Sequence, residues 1–213
     1  MPEPGQLRHV RRQGRLTPAQ RRALESFLPS FAAPEGMLDA TALCGEPRPL
    51  VVEVGCGDGM VLLELARAHP GLAFLGIEVY RPGVGRLAMA LAAEGLYHVR
   101  LAVEDARAVM ARLQPESIDC LLTLFPDPWP KKRHHKRRLI EADFVATVVP
   151  RLKRGAHWQL ATDDAAYAVA MEQVLKAHGG LEAAPALPRP ESKYHRRATR
   201  LGRAVIELAF RKR

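Results

Sequence analysis

The sequence has few cysteines, no apolar run long enough to cross a membrane and no apolar segment at its amino terminus. Its three cysteines, Cys44, Cys56 and Cys120, are scattered, so we expect neither a disulfide framework nor a zinc site. Every apolar stretch falls short of the ~18 residues that a membrane helix needs, and a signal peptide is not indicated. These absences favour a protein of the reducing cytoplasm that binds neither a membrane nor a metal.

Positive charge is concentrated in three segments of an otherwise acidic chain. The formal net charge is +9, whereas residues 1–22, 131–138 and 189–213 carry +5, +6 and +7, which leaves −9 on the remaining 158 residues. A charged segment is often only a solvated surface, but three of them on an acidic body favour a polyanionic partner, because phosphates bind Lys and Arg. The distribution therefore predicts binding to nucleic acid.

Strand-like and helical segments alternate from residue 50 onward, which predicts an α/β fold with a mostly parallel sheet and helices on both faces. The predicted strands are 50–54, 73–79, 98–103, 118–125, 157–162 and 204–210, and the predicted helices are 60–68, 87–94, 106–113, about 139–152 and about 167–175. Residues 1–45 should form a basic arm and a short helix that starts at Thr17-Pro18, with a proline-rich linker over 29–49. Residues 46–213 should form the sheet domain, and the sequence leaves open whether the protein is a monomer or a homodimer.

A glycine-rich turn follows the first strand and starts the next helix. Gly55, Gly57 and Gly59 permit a tight turn, and without a Cβ they let a ligand lie against the backbone at the carboxyl edge of the sheet. Their spacing is G-x-G-x-G rather than the dinucleotide pattern G-x-G-x-x-G.

Three acidic residues end three successive predicted strands. Glu53 lies among valines, where an unpaired carboxylate is costly, and we interpret it as the partner of a cationic methionine group or of a structural salt bridge. Glu78 is placed to accept hydrogen bonds from a ribose diol and Asp105 to lie beside an adenine ring, although either residue could cap a helix instead. Together these acids favour S-adenosylmethionine, which carries a sulfonium and no phosphate.

The segment after the fourth predicted strand, 125–130, contains three prolines that hold Asp127 beside the expected cofactor. Methylation of guanine N7 displaces the sulfonium methyl directly and leaves a cationic ring, so Asp127 can accept hydrogen bonds from the guanine and stabilise this charge. Asp163, after the fifth strand, is predicted to contact the target nucleotide or to cap a helix. The adjoining basic run is expected to bind phosphates through Lys131, Arg133, Lys136, Arg137 and Arg138.

These stretches resemble the bacterial tRNA (guanine-N7)-methyltransferases, which modify the guanosine at position 46 of the tRNA variable loop. The similarity covers Glu53–Gly59, Phe74–Arg86, Asp105-Ala106, Phe125–Leu139, Ala161–Asp163, 192–194 and 200–202. The resemblance implies a class I, Rossmann-like methyltransferase domain of seven strands in residues 46–213, with S-adenosylmethionine as methyl donor and tRNA as partner.

The resemblance also implies roles for individual residues. Glu53, Glu78, Asp105 and Asp127 would contact the cofactor, with Asp127 as the active-site residue. Lys131, Asp163, Ser192, Lys193, Tyr194 and His195 would contact the substrate. The closing motif of the family usually reads Thr-x-Phe-Glu, so His195 stands where the family has glutamate, and its role is open.

Three alternatives are compatible with parts of the sequence. A nicotinamide-dependent oxidoreductase would use the same sheet, but the glycine spacing disfavours it. A non-catalytic RNA-binding module would explain the basic segments but not the acids at the strand ends. A proline-flanked acid after the fourth strand is also found in enzymes that methylate exocyclic amines of adenine or cytosine.

Overall fold

The computed structural model describes residues 16–213, and the predicted basic arm at residues 1–15 lies outside these described residues. The strands are β1 (Leu50–Val54), β2 (Ala73–Ile77), β3 (Val99–Ala102), β4 (Ile118–Leu124), β5 (Leu152–Thr162), β6 (Leu181–Ala183) and β7 (Ile206–Lys212). The α-helices are α1 (Pro18–Phe31), α2 (Ala40–Cys44), α3 (Met60–Ala68), α4 (Arg81–Glu94), α5 (Ala106–Arg112), α6 (Ala142–Val148), α7 (Ala165–Ala177) and α8 (Lys193–Arg200). Two 3₁₀ helices span Lys132–Arg137 and Val149–Arg151.

The strands form a seven-stranded sheet in the order β3-β2-β1-β4-β5-β7-β6. Strands β1 to β5 pair in parallel, and β7 is antiparallel to both β5 and β6. Every residue of β1 and β2 is buried, as expected for central parallel strands that are covered on both faces. The predicted α/β class, with a seven-stranded, mostly parallel sheet and helices on both faces, is confirmed.

Apolar side chains pack into two clusters around the sheet. One contains Phe144, Trp158 and Tyr167 from α6, β5 and α7, and the other contains Phe74 and Leu87 from β2 and α4. Because close-packed interiors deform little, these clusters fix the positions of the strand ends.

The segment that we interpreted as a linker, residues 29–49, is instead part of the packed core. Helix α1 continues to Phe31, and the chain then reaches Leu38, which forms a parallel bridge to Leu113. Phe31 and Leu38 are both fully buried. The linker prediction was wrong because prolines and small residues outnumber the few apolar side chains that pack here. The domain boundary at residue 45 stays a prediction.

Other differences lie at element ends and in short elements. Helix α4 begins at Arg81 rather than near 87, and β5 begins at Leu152 rather than 157. The helix that Pro150 was expected to end does end just before it, at Val148, and the proline lies in the following 3₁₀ turn. Strand β6 and helices α2 and α8 were not predicted.

Within residues 16–213, no helix combines the length and the apolar character that a membrane crossing requires. Among the same residues, no group of three or more His, Cys, Asp or Glu side chains is placed to hold a metal ion.

Candidate active site

A cavity of about 470 Å³ opens at the carboxyl edge of the sheet, beside the ends of β1, β2 and β4. In the sheet, β2 lies on one side of β1 and β4 lies on the other, so the strand order reverses at β1. Open α/β sheets bind ligands where the strand order reverses in this way. The volume falls within the range of roughly 300–1,000 Å³ that small-molecule sites occupy. Nine residues chosen from the sequence line the cavity, namely Gly55, Gly57, Glu78, Asp105, Asp127, Lys136, Arg137, Lys193 and Tyr194.

Three glycines with positive φ shape the turn between β1 and α3. Gly55, Gly57 and Gly59 have φ of +76°, +62° and +75°, a region that other residues rarely adopt. A Cβ on Gly59 would lie 2.3 Å from the side chain of Leu87, so this glycine permits close packing and does not line the cavity. Helix α4 also approaches the turn closely, because a Cβ on Gly83 would lie 2.2 Å from the carbonyl oxygen of Gly57.

Replacing Gly83 with alanine is expected to displace the glycine turn. The new Cβ would meet backbone, which cannot move aside as a side-chain end can. We expect the free energy of unfolding to fall by about 1–3 kcal/mol, and Tm by roughly 2–12 °C. The sequence predicts an S-adenosylmethionine site at this turn, so the dissociation constant for the demethylated product S-adenosylhomocysteine, measured by calorimetry, should rise at least ~10-fold, which corresponds to ~1.4 kcal/mol. Gly71→Ala is the matched control because a Cβ there has open space, and unaltered binding by Gly83→Ala would contradict the role given to this contact.

Glu78 follows β2 and holds the glycine turn against that strand. Its Oε2 accepts a hydrogen bond from the N–H of Gly57 at 2.7 Å, and its Oε1 accepts from the N–H groups of Val79 and Tyr80 at 2.7 and 2.8 Å. A carboxylate offers about four acceptor positions, so Oε2 retains capacity for a further hydrogen bond. The contact to a ribose stays a prediction, with room for one hydroxyl rather than two.

Glu53, in β1, is buried close to the turn without lining the cavity. Its side chain is only 3% exposed, and its Oε2 has no hydrogen-bond partner among the described residues. Burial raises the pKa of Glu53 to about 8, with Arg189 opposing the rise and the carboxylates of Glu78 and Asp58 adding to it. An unpartnered buried carboxyl is costly, so a cationic group near it would be stabilised.

Asp105 caps a helix and also lies where it could contact an adenine, the two roles that the sequence left open. Its Oδ1 accepts a hydrogen bond from the N–H of Arg107 at 2.8 Å and caps α5. The same residue lines the cavity, so capping does not remove it from a ligand.

The proline-framed segment after β4 holds Asp127 exposed at the cavity. Phe125 and Trp129, on either side of it, have φ of +53° and +44°. Such strain costs on the order of 1–3 kcal/mol per residue and persists only where the surroundings impose it. Within residues 16–213, the Asp127 carboxylate has no hydrogen bond or ion pair, so it is available to a ligand.

Arg138 supports this segment from inside the protein. Its Nε donates a hydrogen bond to the carbonyl oxygen of Pro128 at 2.9 Å, and its guanidinium lies 4.7 Å from the centre of the Tyr167 ring. Arg138 is only 7% exposed. This placement disagrees with the phosphate contact predicted for Arg138, because the loop and the ring enclose the guanidinium.

The rest of the basic run divides between the cavity and the outer surface. Lys136 and Arg137 line the cavity, and the Arg137 guanidinium lies 5.0 Å from the centre of the Trp129 ring. Lys131 and Arg133 are exposed and lie outside the cavity. These two are therefore free to meet a large ligand that extends beyond the cavity.

Asp163 does not line the cavity and is paired with Arg203. The Arg203 Nη1 lies 2.9 Å from the Asp163 Oδ2. The neighbouring Asp164 caps α7 instead, since its Oδ1 accepts a hydrogen bond from the N–H of Tyr167 at 2.8 Å. The nucleotide contact predicted for Asp163 stays a prediction, and it requires Arg203 to move or to share the carboxylate.

The segment 192–195 caps and begins α8. The Oγ of Ser192 accepts a hydrogen bond from the N–H of His195 at 3.1 Å, so Ser192 serves as the helix cap. The His195 ring lies 3.5 Å from a carboxylate oxygen of Glu191 and 3.9 Å from one of Glu207. Neither Ser192 nor His195 lines the cavity. Glu191 and Glu207 thus place negative charge close to position 195, where the family usually has a glutamate.

Similarity to known proteins identifies the family. Residues 47–208 match a family described as putative methyltransferase. Curated relatives from Nitrosococcus oceani, Alkalilimnicola ehrlichii and Halorhodospira halophila are each named tRNA (guanine-N(7)-)-methyltransferase. They are 42%, 44% and 42% identical to the chain, over 95%, 96% and 100% of its length and 89%, 91% and 98% of theirs. The chain belongs to the tRNA (guanine-N7)-methyltransferase family.

Two solved structures share the fold at lower sequence identity than these relatives. The 16S rRNA methyltransferase KamB has a TM-score of 0.60 at 17% identity, covering 86% of this chain and 99% of that one. A 16S rRNA (adenine(1408)-N(1))-methyltransferase from Catenulisporales acidiphilia, solved with its cosubstrate SAM, has a TM-score of 0.57 at 20% identity over 81% and 89% of the chains. They confirm the class I methyltransferase fold.

One buried arginine of this methyltransferase was missed by the sequence reasoning. The Arg189 side chain is 7% exposed and pairs with Glu207. Gln159 fixes the segment before it, since its amide donates to the carbonyl oxygen of Leu187 at 3.1 Å and its oxygen accepts from the N–H of Leu187 at 3.0 Å. The sequence did contain one indication of this residue. Prolines flank Arg189 on both sides and restrict its backbone, which suggests that its side chain has a fixed position.

Proposed function

We propose that this chain transfers the methyl group of S-adenosylmethionine to N7 of a guanine in tRNA, at position 46 of the variable loop, in the cytoplasm. The observation that supports this most is the position of Asp127. Its unpaired carboxylate is held on a proline-framed segment at a cavity that the glycine turn also lines.

The residues around the glycine turn fit the chemistry of S-adenosylmethionine. Glu53 is a buried acid with an unpartnered oxygen, Glu78 has a remaining acceptor position, and Gly57 leaves space at the cavity wall. We expect Glu53 to stabilise the ammonium and Glu78 a ribose hydroxyl, while Asp105 lies near the adenine. When bound, the sulfonium supplies an electrophilic methyl group.

Asp127 is proposed to orient and stabilise the target guanine. N7 has an in-plane lone pair and no proton to lose, so the reaction needs alignment more than a strong base. We expect the Asp127 carboxylate to accept hydrogen bonds from the guanine N1–H and amino group and to stabilise the positive charge that develops on the ring. Trp129, which lines the same cavity, offers an aromatic face to a base.

Two basic surfaces beside the cavity fit the phosphate backbone of a tRNA. One is the 131–137 run, without the buried Arg138, and the other is the exposed face of α8 that carries Arg196, Arg197 and Arg200. Arg200 lies four residues after Arg196 and three after Arg197, spacings at which like charges on a helix repel each other and destabilise it. A phosphate backbone would relieve this repulsion and release bound counterions.

The deciding experiment is methylation of unmodified tRNA with labelled S-adenosylmethionine, followed by mapping of the modified base. We expect N7-methylguanosine at position 46, so treatment with borohydride and aniline should cleave the RNA chain there. Label in a base that resists this cleavage would favour methylation of an exocyclic amine. Absence of label despite tRNA binding would favour a non-catalytic RNA-binding module, and thermal protection by NAD but not by S-adenosylhomocysteine would favour an oxidoreductase.

Replacing Lys131 with alanine is expected to raise the KM for tRNA with little change in kcat. Lys131 is exposed outside the cavity, so it should contribute a phosphate contact and no chemistry. The slope of log KM against log salt should become smaller by about 0.7–0.9, the loss of one phosphate contact. Lys176→Ala on α7 is the control, and an equal effect of both changes would indicate that the contact is not local.

A further inference from the structure

We propose that Lys193 forms a binding site for the α-carboxylate in the methionine part of S-adenosylmethionine. Lys193 is the first residue of α8, and its Nζ lies 3.0 Å from the Oδ2 of Asp58 in the glycine turn. The same atom lies 3.7 Å from where a Cβ on Gly57 would be, and Lys193 and Gly57 both line the cavity. Lys193 therefore belongs to the cofactor end of the cavity, whereas the sequence had assigned it to the substrate.

The glycine turn itself has few backbone N–H groups left for an anion. Those of Gly55 and Cys56 donate to the carbonyl oxygen at the end of β2, at 2.8 and 3.2 Å. That of Gly57 donates to Glu78 at 2.7 Å, and that of Gly59 donates within the turn at 2.8 Å. In other glycine-rich turns such groups bind a ligand's negative charge. Here four of these groups are already used, which favours a side chain as the binder of the carboxylate.

The acidic residues near the turn are a second reason why the α-carboxylate of the ligand needs a cation. Glu53 interacts electrostatically with both Asp58 and Glu78. They favour the ammonium of an amino acid, but they repel its carboxylate unless a positive group lies between. Arg189, the nearby arginine, is already paired with Glu207 and does not line the cavity.

The other cations that line the cavity are held on different walls. The Arg107 guanidinium lies over the ring of Phe144 at 5.4 Å, on the side of α5 and α6. Lys136 and Arg137 belong to the basic 3₁₀ helix that follows β4. Of the cavity-lining cations among the described residues, Lys193 is the one whose charged atom lies against the glycine turn.

The Lys193 ammonium has the capacity for this contact. An ammonium has three donors, and Asp58 uses one of them. The side chain is 36% exposed, so a ligand in the cavity can reach it. The ring of Tyr194, whose centre is 5.2 Å from the Nζ, further stabilises the charge at this position.

The test compares two ligands that differ only in the carboxylate, S-adenosylhomocysteine and its decarboxylated amine analogue. Dissociation constants are measured by calorimetry for the full-length wild type, Lys193→Met and Lys193→Arg. We expect Lys193→Met to raise the constant for S-adenosylhomocysteine by ~10- to 100-fold, the loss of a charge-assisted hydrogen bond, and that for the analogue by less than ~2-fold. Lys193→Arg, which keeps the charge, should retain most of the affinity.

Lys176→Met is the matched control, because Lys176 is also an ion-paired lysine, at 2.7 Å from Glu172, but lies on α7. Equal weakening of both ligands by Lys193→Met would overturn the proposal. So would unaltered binding of S-adenosylhomocysteine with a raised KM for tRNA, which is the substrate role. The subsite rests on the proposed function. If the wild type bound neither ligand, the proposed function itself would be contradicted, and the subsite would fall with it.

Discussion

Replacing Asp127 with alanine is expected to abolish methyl transfer to tRNA, and replacing it with asparagine to lower kcat by roughly 10²–10³-fold. Both changes remove the negative charge that is proposed to stabilise the cationic ring, while asparagine keeps the shape of the side chain. The affinity for S-adenosylhomocysteine should fall only modestly, because Asp127 is exposed at the cavity and has no partner among the described residues. Single-turnover rates and calorimetry separate these two effects.

Glu25→Gln is a suitable control for loss of one acidic charge, since Glu25 is exposed on α1. Full activity of Asp127→Ala would refute the role of this residue. If Asp127→Asn lost cofactor affinity in proportion to its rate, Asp127 would serve in cofactor binding rather than in stabilising the reacting base. The prolines of the segment and the hydrogen bond from Arg138 to the carbonyl oxygen of Pro128 should keep the segment in place in both variants.

The strands around the site could be predicted because their local pattern is strong. Strand β1 is a run of apolar residues that ends in glycines, and its bounds match the prediction. Helix α8 could not be found in this way. Ala198 is its one buried residue, so the segment has no apolar periodicity, and the hydroxyl cap at Ser192 was the available signal. Strand β6 has three residues and exists through its pairing with β7.

The site was predictable where it depends on topology and not where it depends on packing. Acids that end parallel strands must meet at one edge, which is how Glu78 and Asp105 were chosen, and both line the cavity. The pairing of Lys193 with Asp58 joins residues that are 135 positions apart, and that of Arg203 with Asp163 joins residues 40 apart. Such contacts follow from how α8 and the loop after it pack onto the sheet, which periodicity does not encode.

Replacing Glu53 with glutamine is expected to weaken binding of S-adenosylhomocysteine by at least ~30-fold, because it leaves the ligand's ammonium without a buried counter-charge. Glutamine has nearly the same volume and resembles the protonated form of the residue. Burial raises the pKa of Glu53 to about 8, so at neutral pH the empty protein mostly holds this carboxyl protonated. Binding of the ammonium should then release a proton, detectable by calorimetry in buffers of different ionisation enthalpy.

The sign of the pH dependence distinguishes Glu53 from an ordinary surface acid. Its pKa rises on folding from 4.5 to about 8, so between these values the unfolded chain loses the proton that the folded chain keeps. The stability of the wild type should therefore fall relative to Glu53→Gln as pH rises through this range. Ligand affinity of the wild type should rise over the same range, because the ionised carboxylate is the form that attracts the ammonium. If Glu53→Gln kept the pH dependence of both stability and ligand affinity, another group would be the one that titrates, and Glu53 would have no role in cofactor binding.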